Sequence, residues 1–246
     1  MTAAPAVLIT RPAAMAGTLA SRLHALGYET VIEPLLSIVP TCAPRPAGKV
    51  DAVMITSGNV FSVLEEHSVP DGLLDLPCYC VGPRTATKAR AFGFRDVRNS
   101  AGDGAELARF IDASFENRKA AILHIAGSHT ETKVRLELEG RDHGMAVWPV
   151  YHALAADELS PALRILLENR CLAAVLVFSP RTAGILHSLL VSHGLEACCA
   201  DLAAICLSSA AADPLRPLGW RFLAAAEKPA EDAAIACLQK LCPVKS

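Results

Sequence analysis

Ala174–Leu190 reads AVLVFSPRTAGILHSLL, and its two halves ask for different backbones. The apolar run Ala174–Phe178, bounded by turn residues, has the length and character of a buried parallel strand. Ser179-Pro180 then opens a segment whose apolar residues fall at Ile185, Leu186, Leu189 and Leu190, a helical spacing. Proline suits the first helical turn, where its missing N–H leaves no bond unmade, so Ser179 is expected to cap a helix that begins where the strand ends. Such a corner presents free backbone N–H groups and the positive end of a helix dipole, and therefore suits an anion.

The same corner recurs along the chain. Ala6–Thr10 runs into Thr10-Arg11-Pro12, followed by a helical repeat through Leu19, Leu23 and Leu26 that stops at Gly27. Ala52–Ile55 runs into Thr56-Ser57-Gly58-Asn59, Cys78–Val81 into Gly82-Pro83-Arg84-Thr85, Ala121–Ile125 into Ala126-Gly127-Ser128, and Ala203–Leu207 into Ser208-Ser209. A polar helix is expected from Glu131 to Glu139, leading to Gly144 and an extended stretch Ala146–Tyr151. Further helices are expected at Ala105–Phe115, Ser160–Asn169 and Glu231–Leu241, with short strands at Asp96–Arg98 and Trp220–Ala225.

These units form a repeat in swapped order. Residues 6–38 match 121–153, with Gly27 opposite Gly144, and residues 51–115 match 173–241, with Ser57 opposite Ser179. Each pair builds a five-stranded, doubly wound parallel sheet of flavodoxin-like type with helices on both faces. Tandem domains dividing near residue 118 are one solution. The other, favoured here, makes 42–148 an α/β domain inserted into a discontinuous α/β domain of 1–38 and 155–246. Two features favour insertion: the matched extended segments 34–41 and 149–154, able to pair as a two-strand bridge, and the Pro-rich linker Thr41–Lys49.

Composition narrows the chemistry. The 246 residues are 52% hydrophobic and only 5% aromatic, as α/β layers filled with small aliphatic side chains require. A formal net charge of −2 offers no track for nucleic acid. The nine cysteines are odd in number, and several (Cys78, Cys80, Cys171, Cys206, Cys237) sit in apolar runs; they read as reduced, buried thiols of a cytoplasmic protein. Neither a signal peptide nor a membrane span is evident, and without a heptad or a long apolar stripe a monomer is expected. No Gly-x-Gly-x-x-Gly or Walker loop is present, the eight histidines lack metal-ligand spacing, and no Ser-His-Asp set stands out. Neither a metal nor a cofactor is expected.

What remains is an anion-binding face at the carboxyl ends of the strands, where doubly wound sheets hold their ligands. Its candidates are the corner residues Thr10, Thr56, Ser57, Thr85, Ser128, Ser179, Thr182, Ser208 and Ser209, with Gly58, Gly82 and Gly127, and beside them Arg11, Arg84 and Arg181. Hydroxyls, helix N-termini and arginines together favour a ligand with several carboxylates or phosphates. Two domains facing each other across a cleft would grip such a ligand, either as a cofactor-free enzyme or as a non-catalytic two-lobed binding protein for a small polyanion.

The series of short motifs resembles the uroporphyrinogen-III synthase family. The matching residues are Leu8-Ile-Thr-Arg-Pro12, Gly27-Tyr-Glu-Thr-Val with Pro34-Leu-Leu36, Ile55-Thr-Ser57, Val81-Gly-x-x-Thr85, Gly127 with Val150-Tyr151, and Phe178-Ser-Pro180. The resemblance implies a bilobed, discontinuous fold with a two-strand connection and no cofactor. It implies a substrate, hydroxymethylbilane, whose acetate and propionate arms suit an interdomain cleft lined by arginine and N–H groups. It further implies loss of the terminal hydroxyl as water to give an azafulvene, a spiro intermediate, and closure to uroporphyrinogen III with ring D inverted. Tyr151 matches the tyrosine proposed to donate a proton to the leaving hydroxyl, and Ser57, Thr85, Ser179, Ser208 and Ser209 match cleft-lining positions. The chain departs from the family at Ala126, where an arginine is usual, at Cys206, where glycine is usual, and at Ser208-Ser209, where threonines are usual. The expected partner is the linear tetrapyrrole, with transient contact to the enzyme that supplies it left open; neither nucleic acid nor a membrane is expected.

Overall fold

The computed structural model describes residues 4–65, 69–100, 104–116, 118–129 and 132–244; Glu131, the expected start of the polar helix, lies outside them. The chain begins with β1 (Ala6–Ile9), α1 (Ala13–Ala25), β2 (Glu29–Ile32) and β3 (Leu36–Pro40). It continues through β4 (Ala52–Ile55), α2 (Asn59–Leu64), α3 (Asp71–Leu74), β5 (Cys78–Val81), α4 (Pro83–Phe92), β6 (Val97–Ser100) and α5 (Gly104–Ser114). Then come β7 (Ala121–Gly127), α6 (Thr132–Glu139) and the long β8 (Gly144–Ala155). The last third holds α7 (Pro161–Glu168), β9 (Leu172–Val177), α8 (Pro180–Ser192), β10 (Ala203–Cys206), α9 (Ser209–Ala212), β11 (Phe222–Ala225) and α10 (Glu231–Leu241).

Two compact units result, one of Met1–Ser37 with Leu154–Ser246 and one of Ile38–Ala153. The first carries a five-stranded sheet in the order β11-β10-β9-β1-β2, the second a six-stranded sheet in the order β3-β8-β7-β4-β5-β6. Every pairing that joins β1, β2, β9, β10 and β11, and likewise β4 to β8, is parallel. Setting β9 against β4 and β1 against β7 superposes the two orders, so the sheets share one arrangement entered at different strands. In chain order the second sheet therefore runs 3-2-1-4-5, and β3 adds an outer strand beside β8.

In parallel strands buried on both faces, alternate side chains feed two cores. In the first unit Val7, Ile9, Leu176 and Ile205 pack with Leu19 and Leu23 of α1 and Ile235 and Leu238 of α10. Leu8, Val175 and Val177 meet Leu163 and Leu167 of α7 and Leu186 and Leu190 of α8 on the other face. In the second unit Met54, Tyr79 and Ile122 pack with Leu107 and Ile111 of α5 and Leu138 of α6. Val53, Ile55, Leu123 and Ile125 meet Phe61 and Leu64 of α2 and Ala86 and Ala89 of α4.

Three local expectations need correction. The corner after β10 leads into only four residues of α-helix and a 3-10 turn at Asp213–Leu215, because Pro214 removes a backbone donor at once. Gly27 does take the left-handed conformation that ends α1 (φ 87°), but in the turn after α6 that conformation falls on Asp142 (φ 63°), two residues before Gly144. All nine cysteines are free thiols, yet Cys171 is exposed and Cys237 half-buried.

Candidate functional site

In the second unit β4 and β7 are neighbours, while the chain leaves β4 for β5 on its other side. Such a reversal opens a crevice at the strands' carboxyl ends. A cavity of about 280 Å³ lies there, lined by Thr56, Ser57, Val81, Gly104, His124, Ala126, Gly127, His129, Val134 and Tyr151.

Tyr151 reaches this cavity through an irregularity in β8. Ala126 pairs with Pro149 but Gly127 with Tyr151, so the register slips by one residue. The extra residue breaks the alternation of faces, and Trp148, Val150 and Tyr151 all pack into the same core. The Tyr151 ring then lies across the backbone of Gly127: a Cβ there would stand 2.7 Å from Cε2, 2.8 Å from Cζ and 3.1 Å from Oη. The Ser128 N–H donates to the Tyr151 carbonyl at 2.8 Å, which fixes the strand beside the ring.

His124 is the polar side chain within β7. It is 1% exposed, its Nε2 is 3.1 Å from Thr56 Oγ1, and its buried Nδ1 has no partner among the described residues. Burial pushes its imidazole down to about 4, so the ring is neutral near pH 7. At the rim, Ser128 Oγ lies 2.7 Å from His152 Nδ1 and 3.2 Å from His129 Nδ1.

The structure thus gathers Thr56, Ser57, Gly127 and Tyr151 around one cavity. Gly58, Gly82, Arg84, Thr85 and Ser128 follow the ends of β4, β5 and β7 without lining it. Ser57 Oγ accepts from Asn59 N at 3.3 Å, Gly82 takes a φ of 75° ahead of Pro83, Arg84 is exposed and Thr85 buried. In the sequence, His124 and His129 come into question only as metal ligands. The signal for His124 is local: it is the sole polar residue in an otherwise apolar strand run.

At the equivalent strand ends of the first unit, between β1 and β9, the side chains pair with one another. Arg11 is buried, donates to Glu231 Oε2 at 2.7 Å and stacks 4.4 Å from the Phe178 ring centroid. Arg22 holds the other carboxylate oxygen, Oε1, at 2.7 Å. Thr10 Oγ1 donates to the Leu176 carbonyl at 2.8 Å. Ser179 caps α8, its Oγ accepting from Thr182 N at 3.1 Å and lying 2.8 Å from Thr182 Oγ1. Ser208 caps α9 in the same way, accepting from Ala211 N at 3.3 Å. Arg181 and Ser209 are exposed beside these caps. Among the described residues no three His, Cys, Asp or Glu side chains gather as a metal site would need, and no helix is long and apolar enough to cross a membrane.

The comparisons with known proteins agree with one another. The family model for uroporphyrinogen-III synthase HemD matches residues 17–236. Among solved structures, the chain is similar to a mutant uroporphyrinogen III synthase from the extremely thermophilic bacterium Thermus thermophilus, with a TM-score of 0.61, 14% identity, and coverage of 97% of this chain and 98% of that one. It is likewise similar to the uroporphyrinogen-III synthetase of Helicobacter pylori, with a TM-score of 0.62, 17% identity, and coverage of 96% and 99%. At these identities the likeness speaks for the fold. No curated protein matches the chain significantly. Two doubly wound parallel sheets on one chain, with a crevice at the strand ends of one of them, make this a two-unit α/β protein. The chain belongs to the uroporphyrinogen-III synthase family.

Proposed function

We propose that this protein cyclises hydroxymethylbilane to uroporphyrinogen III, with loss of water and inversion of ring D, through azafulvene and spiro intermediates. The observation that carries the reading is the family match over residues 17–236; the cavity that holds Tyr151 supports it. The bilane is bound by strand-end corners of an inserted domain (42–148) and a discontinuous domain (1–38 and 155–246), which the segments 34–41 and 149–154 connect. Its acetate and propionate carboxylates meet helix N-termini and corner hydroxyls, the groups that favour anions.

The chemistry asks little of side chains. The pyrrole nitrogens push out the hydroxyl, and the protein holds the chain so that closure with inversion outruns simple closure. Tyr151 donates a proton to the departing hydroxyl. Ser57, Thr85, Ser179, Ser208 and Ser209, with the neighbouring corner residues, hold the substrate.

Incubation with freshly generated hydroxymethylbilane, followed by isomer analysis, tests the reading. The type III ring is expected; exclusive formation of the unrearranged type I ring, as in an enzyme-free control, overturns it. Tyr151→Phe is expected to lower kcat roughly 10²-fold with KM little changed. A variant that turns over like the wild type removes Tyr151 from the acid role.

A further inference from the structure

The hydrogen-bond pattern of His124 assigns a direction to a hydroxyl in the cavity. A neutral imidazole has one N–H and one bare lone pair. Here one nitrogen, Nε2, faces Thr56 Oγ1 at 3.1 Å, and the other, Nδ1, is buried with no partner among the described residues. Were the proton on Nδ1, an N–H donor would be buried with nothing to accept it. Orphaned N–H donors are rarer in proteins than under-used acceptors. The proton therefore sits on Nε2 and is donated to Thr56 Oγ1. Burial, which leaves the ring 1% exposed, keeps it neutral.

That choice settles what Thr56 can do. Its oxygen accepts from the imidazole, so its own O–H points elsewhere, and among the described residues it makes no other hydrogen bond. Thr56 also lines the cavity, together with Ser57, Gly127 and Tyr151. We propose that His124 is a positioning residue that holds the Thr56 hydroxyl as a donor into the cavity, where it binds a carboxylate oxygen of the substrate. The cavity, at about 280 Å³, is below the usual range for a drug-sized ligand and takes one substituted pyrrole with its acid arms. Without the imidazole, the threonine hydroxyl is free to rotate toward nearby backbone carbonyls.

The inference rests on the proposed synthase reaction, and the experiment keeps the two apart. His124→Leu is expected to raise KM about fivefold, the worth of one hydrogen bond, with kcat within about twofold. His124→Gln, whose amide N–H reaches the Nε2 position, is expected to recover KM to within about twofold of wild type. Thr56→Val is expected to raise KM to a similar extent, and His124→Leu added to it to cost nothing more. An unchanged KM in His124→Leu, or additive losses in the double variant, overturns the assignment. Long-range 1H–15N NMR of the wild-type protein gives a readout independent of turnover and of variant folding. A proton on Nε2 with a bare Nδ1 supports the proposal; a proton on Nδ1, or an imidazolium at pH 7, overturns it. Type I product alone from the wild type overturns the reaction and this inference with it, whereas type III product with an unchanged His124→Leu KM overturns the inference alone.

Discussion

Gly127 is fixed by what lies above it. With a Cβ position only 2.7 Å from Tyr151 Cε2, Gly127→Ala forces the ring aside. The expected cost is about 1–3 kcal/mol, together with a loss of turnover because the phenol leaves the cavity; thermal unfolding and the cyclisation assay measure the two. His124 makes a second prediction, on pH. Its imidazole is held down to about 4 in the folded chain, against 6.5 for an ordinary histidine. Between those values the unfolded chain binds the extra proton and the folded chain does not, so stability falls as pH drops through that window. The full contribution is about 3 kcal/mol, present above pH 6.5 and gone below 4. Urea midpoints at pH 7 and 4.5 are expected to fall further for the wild type than for His124→Gln; equal falls count against it. Neither residue announces its role in the sequence. Gly127 reads as one more corner glycine, and the partner of His124 lies 68 residues away.

Elements are far more legible than sites, because what starts and ends them is local. Ser179 before Pro180 announces a helix, and the structure gives α8 with Ser179 Oγ accepting from Thr182 N at 3.1 Å. Ser179→Ala is expected to destabilise the first unit by about 1 kcal/mol, read as a lower urea midpoint with unchanged slope. The same change at Ser208 is expected to matter less, since α9 has only four residues to hold. Cys78–Val81 and Glu231–Leu241 coincide with β5 and α10, each bounded by strong turn or acidic signals. The 3-10 helix at Glu196–Asp201 and the short α3 escape notice, because one or two turns carry too few residues to show a period. The bulge in β8 is equally silent: alternation would send Val150 and Tyr151 to opposite faces, and only the pairing with β7 shows that both are buried together.

At the scale of the molecule, the swapped repeat is visible in the sequence because strand, corner and helix recur in order. The use made of each copy is not. One crevice opens beside Tyr151; at its counterpart Arg11 instead meets Phe178 and Glu231, contacts that span up to 220 residues. An arginine beside a corner looks the same in sequence whether it meets a ligand or a glutamate. Because Arg11 and Glu231 have side chains only 8% and 10% exposed, Glu231→Ala is expected to cost roughly 3 kcal/mol by leaving a buried cation unpaired. Native-state hydrogen exchange should show the loss in β1 and α10 and leave β4 and β7 protected; uniform loss across both sheets contradicts it. The pairing of β1 with β9 has one more consequence, for synthesis. Ile9 leaves the ribosome long before Leu176, its partner in the sheet, has been made. At ~5–20 residues per second that gap is on the order of 10–30 s. Through it the opening strand has β2 and α1 to pack on, but its other edge stays bare while the inserted unit is completed, so a cell making this protein has to keep that edge from pairing elsewhere until the tail arrives.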